Sequence, residues 1–195
     1  MTAAIAVAAA AGPRATTMSD RSAARLRRKP AISIDLAETS ARWRERLPRR
    51  RALCVAAAEA AFATAKPRLT RRTEVSVVLA DDALVRRLNR QWRRIDAATN
   101  VLSFPSLDQE LPPKAPFLLG DVVLAYETVS REAQEQGKDL ADHLRHLVVH
   151  GILHLLGYDH EDPGQAEQME ALETQVLARL GVDDPYAERQ GVGHD

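Results

Sequence analysis

A single α+β domain is what this sequence predicts, a small mixed sheet of about four strands packed with about five helices. Three observations carry that expectation. Short β-branched runs alternate with longer stretches that repeat apolar residues at helical spacing. At 195 residues the chain is long enough to bury one hydrophobic core, and no repeat divides it. One stretch from Asp139 to Leu156 has leucines at 140, 144, 147 and 155, and lacks proline, as a central helix should.

In chain order, Ala31-Ile32-Ser33-Ile34-Asp35-Leu36 alternates apolar and polar, the pattern of a short strand. Residues 39–65 follow as a helical region that opens near Thr39 and Ser40 and is interrupted by Pro48. Glu74 to Ala80 is β-branched and apolar, a buried strand. Asp81 and Asp82 cap a helix to about Trp92, with Leu84, Val85 and Leu88 on one face. A polar loop over 93–99 leads to a third strand, Asn100 to Phe104, stopped by Pro105. Four prolines in 105–116 make an exposed loop before the fourth strand, Phe117 to Tyr126, where Gly120 marks a bulge or a close approach. The short gap between these two strands implies that they pair antiparallel. Glu127 to Gln136 is a helix closed by Gly137, Asp139 caps the next, and a last helix runs from about Gly164 to Leu180.

Both ends fall outside the predicted domain of residues 31–186. Residues 1–12 are almost wholly Ala, Ile and Val, but no positive charge precedes them, and no run reaches the ~20 apolar residues of a membrane helix. Residues 13–30 are rich in Arg and Ser with one acid, Asp20, and Met18 offers a second start. Residues 1–30 therefore read as a disordered or misassigned extension, and 187–195 as a frayed tail. The lone Cys54 forbids an internal disulfide and suits a small core position. Charge sums to zero overall, yet residues 1–51 carry twelve Lys/Arg against four Asp/Glu, so a neutral total does not argue against a nucleic-acid partner.

The chemistry concentrates in His150-Gly151-Ile152-Leu153-His154-Leu155-Leu156-Gly157-Tyr158-Asp159-His160. Histidines four apart share one helix face, so His150 and His154 can grip one ion. Gly157 can end the helix in the left-handed conformation and turn the chain so that His160 reaches the same ion. Three imidazoles with a fourth position free describe a catalytic zinc site, in which the ion lowers the pKa of its water to ~7. The spacing is similar to the metzincin protease signature, but those proteases carry a glutamate base directly after the first histidine. Gly151 stands there instead, and a glycine cannot move a proton. His143 and His146 lie on the same stripe, as substrate-facing or merely solvated groups. Asp159 and Asp121 are candidates for orienting an imidazole, or else a turn residue and a bulge residue.

Arg86, Arg87, Arg90, Arg93 and Arg94 gather at a helix end and the loop after it. Guanidinium groups suit phosphate and the charge that develops in phosphoryl transfer. Together with Thr99-Asn100-Val101-Leu102-Ser103-Phe104-Pro105 and Leu119-Gly120-Asp121, the histidine motif resembles the YbeY family of rRNA-maturation endoribonucleases. Arg131 to Gly137, Met169 to Glu173 and Asp184-Pro185-Tyr186 agree with it, over residues 74–186 firmly and 31–73 loosely. The resemblance implies a zinc-dependent, single-strand-specific endoribonuclease of the bacterial cytoplasm, with one Zn2+ per chain and no small-molecule cofactor or membrane. It also implies a part in 16S rRNA 3′-end maturation and ribosome quality control, in association with the small ribosomal subunit. Its metal ligands fall on His150, His154 and His160, and its functional arginine on Arg93. Ala98 departs from the family's proline, which loosens the loop holding Arg93 without removing a reactive group. A non-catalytic assembly factor stapled by zinc is the competing expectation, and a metallopeptidase the third.

Overall fold

The fold was analysed in a computed structural model. It describes residues 32–187 except 66, 68, 70–71, 107–111, 113–114 and 161. The extension over 1–30, most of the 105–116 loop and the tail from 188 lie outside the described residues.

Among the described residues four strands form one mixed sheet in the order β1-β2-β4-β3: β1 (Ile32–Glu38), β2 (Thr73–Ala80), β3 (Val101–Pro105) and β4 (Phe117–Ala125). β1 and β4 run parallel to β2 on either side, and β3 pairs antiparallel with β4 at the edge, as the short connection predicts. Among the described residues six helices pack with the sheet, one more than expected. The region 39–65 is two helices, α1 (Ala41–Arg46) and α2 (Arg50–Ala65), because the ring at Pro48 cannot continue an α-helix. The others are α3 (Asp82–Arg93), α4 (Tyr126–Glu135), α5 (Leu140–Leu155) and α6 (Pro163–Arg179).

Period-two alternation sorts the strand residues between two cores. Val75, Val77 and Leu79 of β2 and Val122 and Leu124 of β4 face the larger one, with residues of α2, α5 and α6. Val78, Ala80, Val123 and Ala125 face a smaller one, covered by Val85 and Leu88 of α3. Cys54 is fully buried in the larger core, and that burial pushes its thiol up to about 12, as fits an inert packing residue. Trp43 is also fully buried; its indole N–H donates to the Ala80 carbonyl at 2.8 Å and its ring meets Tyr126 edge to face.

Two close approaches seat α5 on the sheet. Gly120 has φ 140° where β4 carries an extra residue, Leu119, relative to β2; a Cβ there would lie 2.2 Å from the Phe104 carbonyl oxygen. A Cβ on Gly151 would lie 2.6 and 3.1 Å from the two Val122 methyls and 3.2 Å from Ser103 Oγ. Ser103 Oγ in turn donates to the Gly151 carbonyl at 3.3 Å, so the edge strand and the helix are joined at that point.

Candidate metal centre

α5 begins at Asp139, whose carboxylate accepts the Ala141 N–H at 2.7 Å, and it runs buried through Leu144, Leu147, Val148, Ile152 and Leu153. Its end follows from Gly157. At φ 89° this residue lets the Gly157 N–H reach the His154 carbonyl at 3.0 Å and the Tyr158 N–H reach the Leu153 carbonyl at 3.1 Å. Two carbonyls otherwise left over at a helix end are thereby satisfied. The same turn brings the Tyr158 carbonyl to 3.0 Å from His154 Nδ1 and returns the chain toward His160.

The three imidazoles meet there. One nitrogen from each of His150, His154 and His160 lies within 4.8 Å of the other two, a grouping that could hold one metal ion. His150 and His154 are half-buried on the helix, and His160 is exposed beyond the turn. The protonation pattern tests whether an ion fits. His150 Nδ1 faces the Glu173 carboxylate at 2.7 Å and His154 Nδ1 faces the Tyr158 carbonyl, both pure acceptors, so each Nδ1 carries hydrogen. In the neutral rings the Nε2 atoms then carry lone pairs, and those atoms face each other at 3.0 Å. Two facing lone pairs call for a cation between them, and neutral nitrogen donors suit zinc. Burial first, then the neighbouring His150 and His160, hold His154 below its ordinary value of 6.5, which favours the neutral, ligating form.

Glu173 is the residue that sequence reading missed. It lies on α6, fully buried, and takes three donors: His150 Nδ1, His146 Nε2 at 3.2 Å and the Tyr186 hydroxyl. Burial alone would raise its pKa, but the bonds and charges of His146 and His150 outweigh that and hold it down at about 2. A signal for it exists in the sequence. Met169, Glu173, Val176 and Leu177 share one helical stripe, and a carboxylate inside an apolar stripe requires a partner.

Other expectations resolve differently. Asp159 accepts the backbone N–H of His160 at 2.8 Å, which makes it a turn residue. Asp121 follows Gly120 on β4 but alternates with Val122, so it faces away from α5 and bonds to Ser76; burial raises its pKa. It orients none of the three imidazoles. His146 shares Glu173 with His150, while His143, only 4% exposed, turns to Glu132 at 2.9 Å. Arg93 ends α3, exposed, and among the described residues it forms no ion pair and no hydrogen bond to the histidines. Arg86 is instead held by both oxygens of Asp96, at 2.8 and 3.0 Å.

The family described as Endoribonuclease YbeY matches residues 40–181. The Endoribonuclease YbeY of Paramagnetospirillum magneticum is 65% identical over 119 residues, 60% of this chain and 73% of that protein. That of Azorhizobium caulinodans is 50% identical over 157 residues, 80% of this chain and 97% of its own. A Thermotoga maritima protein solved in solution aligns at 25% identity with a TM-score of 0.46, over 77% of this chain and 91% of that one. With the family match running from the first turn of α1 to the end of α6, and taking in the three histidines, the chain belongs to the YbeY family of endoribonucleases.

Proposed function

We propose that the protein is a zinc-dependent endoribonuclease that cuts unpaired RNA, with His150, His154 and His160 as the ligands of one Zn2+. The single observation that carries this reading is the convergence of the three imidazole nitrogens within 4.8 Å, two of them with their Nδ1 hydrogens already engaged. The catalytic unit is taken as residues 31–186, with 1–30 and 187–195 outside it.

A bound zinc ion supplies a Lewis acid and a nucleophile activated at neutral pH. The chain's own residues do the rest. The Glu173 carboxylate and the Tyr158 carbonyl fix the tautomers and ring planes of His150 and His154, so their Nε2 lone pairs aim at one point before any ligand arrives. Arg93 offers a planar guanidinium to the phosphodiester and offsets the negative charge that grows as the P–O bond breaks. Its exposure and lack of a carboxylate partner among the described residues leave it available for that part. Unpaired RNA can splay its backbone to a site of this kind, whereas an A-form duplex holds its phosphates on a stacked helix.

Gly151 speaks against peptidase chemistry. The position that carries the glutamate base in metzincins here faces Val122 and Ser103, with no room for a side chain. The relatives' name, Endoribonuclease YbeY, supports RNA as the substrate. We extend the reading to 16S rRNA 3′-end maturation and ribosome quality control, in contact with the small ribosomal subunit in the cytoplasm. No helix among the described residues is long and apolar enough to cross a membrane.

The test offers full-length, zinc-loaded protein a single-stranded RNA, the same RNA as duplex, and casein. Cutting of the single strand alone, lost in His154→Ala and Arg93→Ala, is the expected result. Metal retained without any RNA cleavage, with unfolding on chelation, would assign the ion a structural role instead.

A further inference from the structure

We propose that Trp92, which packs on Phe104 and is followed in the chain by Arg93, Arg94 and Ile95, is a stacking platform for an unpaired base flanking the cleaved bond. The proposal rests on the endoribonuclease reading above and adds a second contact to it, on the other face of the edge strand from the histidines.

Trp92 continues the apolar stripe of α3. Val85 and Leu88 on that stripe are buried against the smaller core, but one turn further on Trp92 leaves the sheet's cover and stays 40% exposed. Its ring meets Phe104 of β3 edge to face, with centroids 6.3 Å apart. Ile95 is 52% exposed three residues later. Among the described residues four large apolar side chains are exposed, and two of them fall in this short segment. The chain's other tryptophan, Trp43, is fully buried with its N–H satisfied, so the exposure of Trp92 is not a general tolerance for open indoles.

Charge selects the partner. Residues 86–96 hold five arginines against one acid, Asp96, which is committed to Arg86. Arg87, Arg93 and Arg94 form no ion pair among the described residues. Arg94 sits in the left-handed region at φ 63°, which ends α3 and turns the chain sharply beside Trp92. An open aromatic ring in a segment with three arginines that form no ion pair among the described residues repels a basic partner and suits an anionic polymer with exposed π faces. Every base has such a face, so this recognition is tolerant of sequence.

The topology connects the platform to the histidines. On β3, Ser103 points to Gly151 of the histidine helix and Phe104 points to the opposite side, to Trp92. β3 is the edge strand, so a single RNA strand with its reacting phosphate at the histidines need only round that edge to lay a neighbouring base on Trp92. A stacked duplex cannot make that turn, which gives strand selectivity a second physical source.

The experiment uses the two-tryptophan count. Because Trp43 is buried, quenching of intrinsic fluorescence on titration with a single-stranded 2′-O-methyl RNA reports Trp92. The expected result is saturable quenching in the wild type and, by anisotropy of the same RNA carrying a fluorescent label, a Kd weakened about 5- to 100-fold in Trp92→Ala, near wild-type affinity in Trp92→Phe, and no change in Leu69→Ala, an exposed apolar control. Unquenched fluorescence in the wild type, with an unchanged anisotropy Kd in Trp92→Ala, in protein that still cuts unpaired RNA, overturns the platform and leaves the nuclease reading intact. A wild-type chain that cuts no RNA overturns both. A concentration-dependent dimer abolished by Trp92→Ala, without change in RNA affinity, would give the patch to a second copy and overturn the proposal.

Discussion

Replacing Glu173 by glutamine removes one negative charge from beside His150 while keeping the shape of the side chain. Glu173 is fully buried, and its Oε1 lies 2.7 Å from His150 Nδ1. A hydrogen bond to a charged acceptor contributes about 1.5–3 kcal/mol and a neutral one about 1 kcal/mol. The exchange therefore costs the metal-bound state about 0.5–2 kcal/mol, or about 2- to 30-fold in Kd. Losing an anion one imidazole away from a dication carries the effect toward about 100-fold, the upper range for groups that orient metal-binding histidines. The assay is competition for zinc against a chromophoric chelator at neutral pH, with the melting of the metal-free protein followed in parallel. Tyr186→Phe serves as the contrast. It deletes the hydroxyl bond to the same carboxylate without touching His150, and should leave zinc affinity close to wild type. If Glu173→Gln binds zinc as tightly as wild type while Glu173→Ala only lowers the melting temperature, the carboxylate is a structural tie of α6 and the orienting role is wrong.

Two further outcomes follow from the packing and the buried titrations. Gly151→Ala should destabilise by about 1–2 kcal/mol, the cost of overpacking set against the better helix propensity of alanine. Most of that loss should be recovered in the Val122→Ala background, and additive melting effects in the double variant would show that Val122 is not what the new methyl meets. His143 should make the metal-free protein acid-sensitive. Burial lowers its pKa below 6.5, against the raising effect of Glu132 and with His146 and Lys138 adding to the lowering. As the pH falls through 6.5 the unfolded chain takes up a proton before the folded one does, so stability present above that pH is lost below it. Thermal melts from about pH 7 to 5.5 should fall more steeply for wild type than for His143→Gln, and parallel curves would remove His143 as the cause.

Much of the site could be read from spacing, because its grip on a metal is a local affair. Histidines at offsets of four, a glycine able to take positive φ, and a third histidine after the turn are all contained in eleven residues. The antiparallel pairing of β3 with β4 was legible for the same reason, a short connection between neighbouring runs. What escaped is non-local. Glu173 comes from α6, 23 residues beyond His150, and an acid on an amphipathic helix usually reads as solvent-facing. Asp159 looked suitable as the neighbour of His160 and Asp121 as the residue after Gly120 on a strand, but a backbone N–H occupies the first and the pleat turns the second away. The interruption at Pro48 was visible within one helical region, and the structure makes it a division into two helices.

The contact at Gly151 also limits what this scaffold can become. A residue directly after the first histidine is turned about a quarter of a revolution around the helix, and in this fold that direction is the floor of the sheet. Substituting glutamate there would not restore a proteolytic base; it would lever the helix off β4 and part the histidines. Converting one activity into the other would thus demand that the helix be re-docked on the sheet, a change of architecture and not of one residue. Two enzymes can share a spacing of histidines and still be separated by a step that point mutation cannot take.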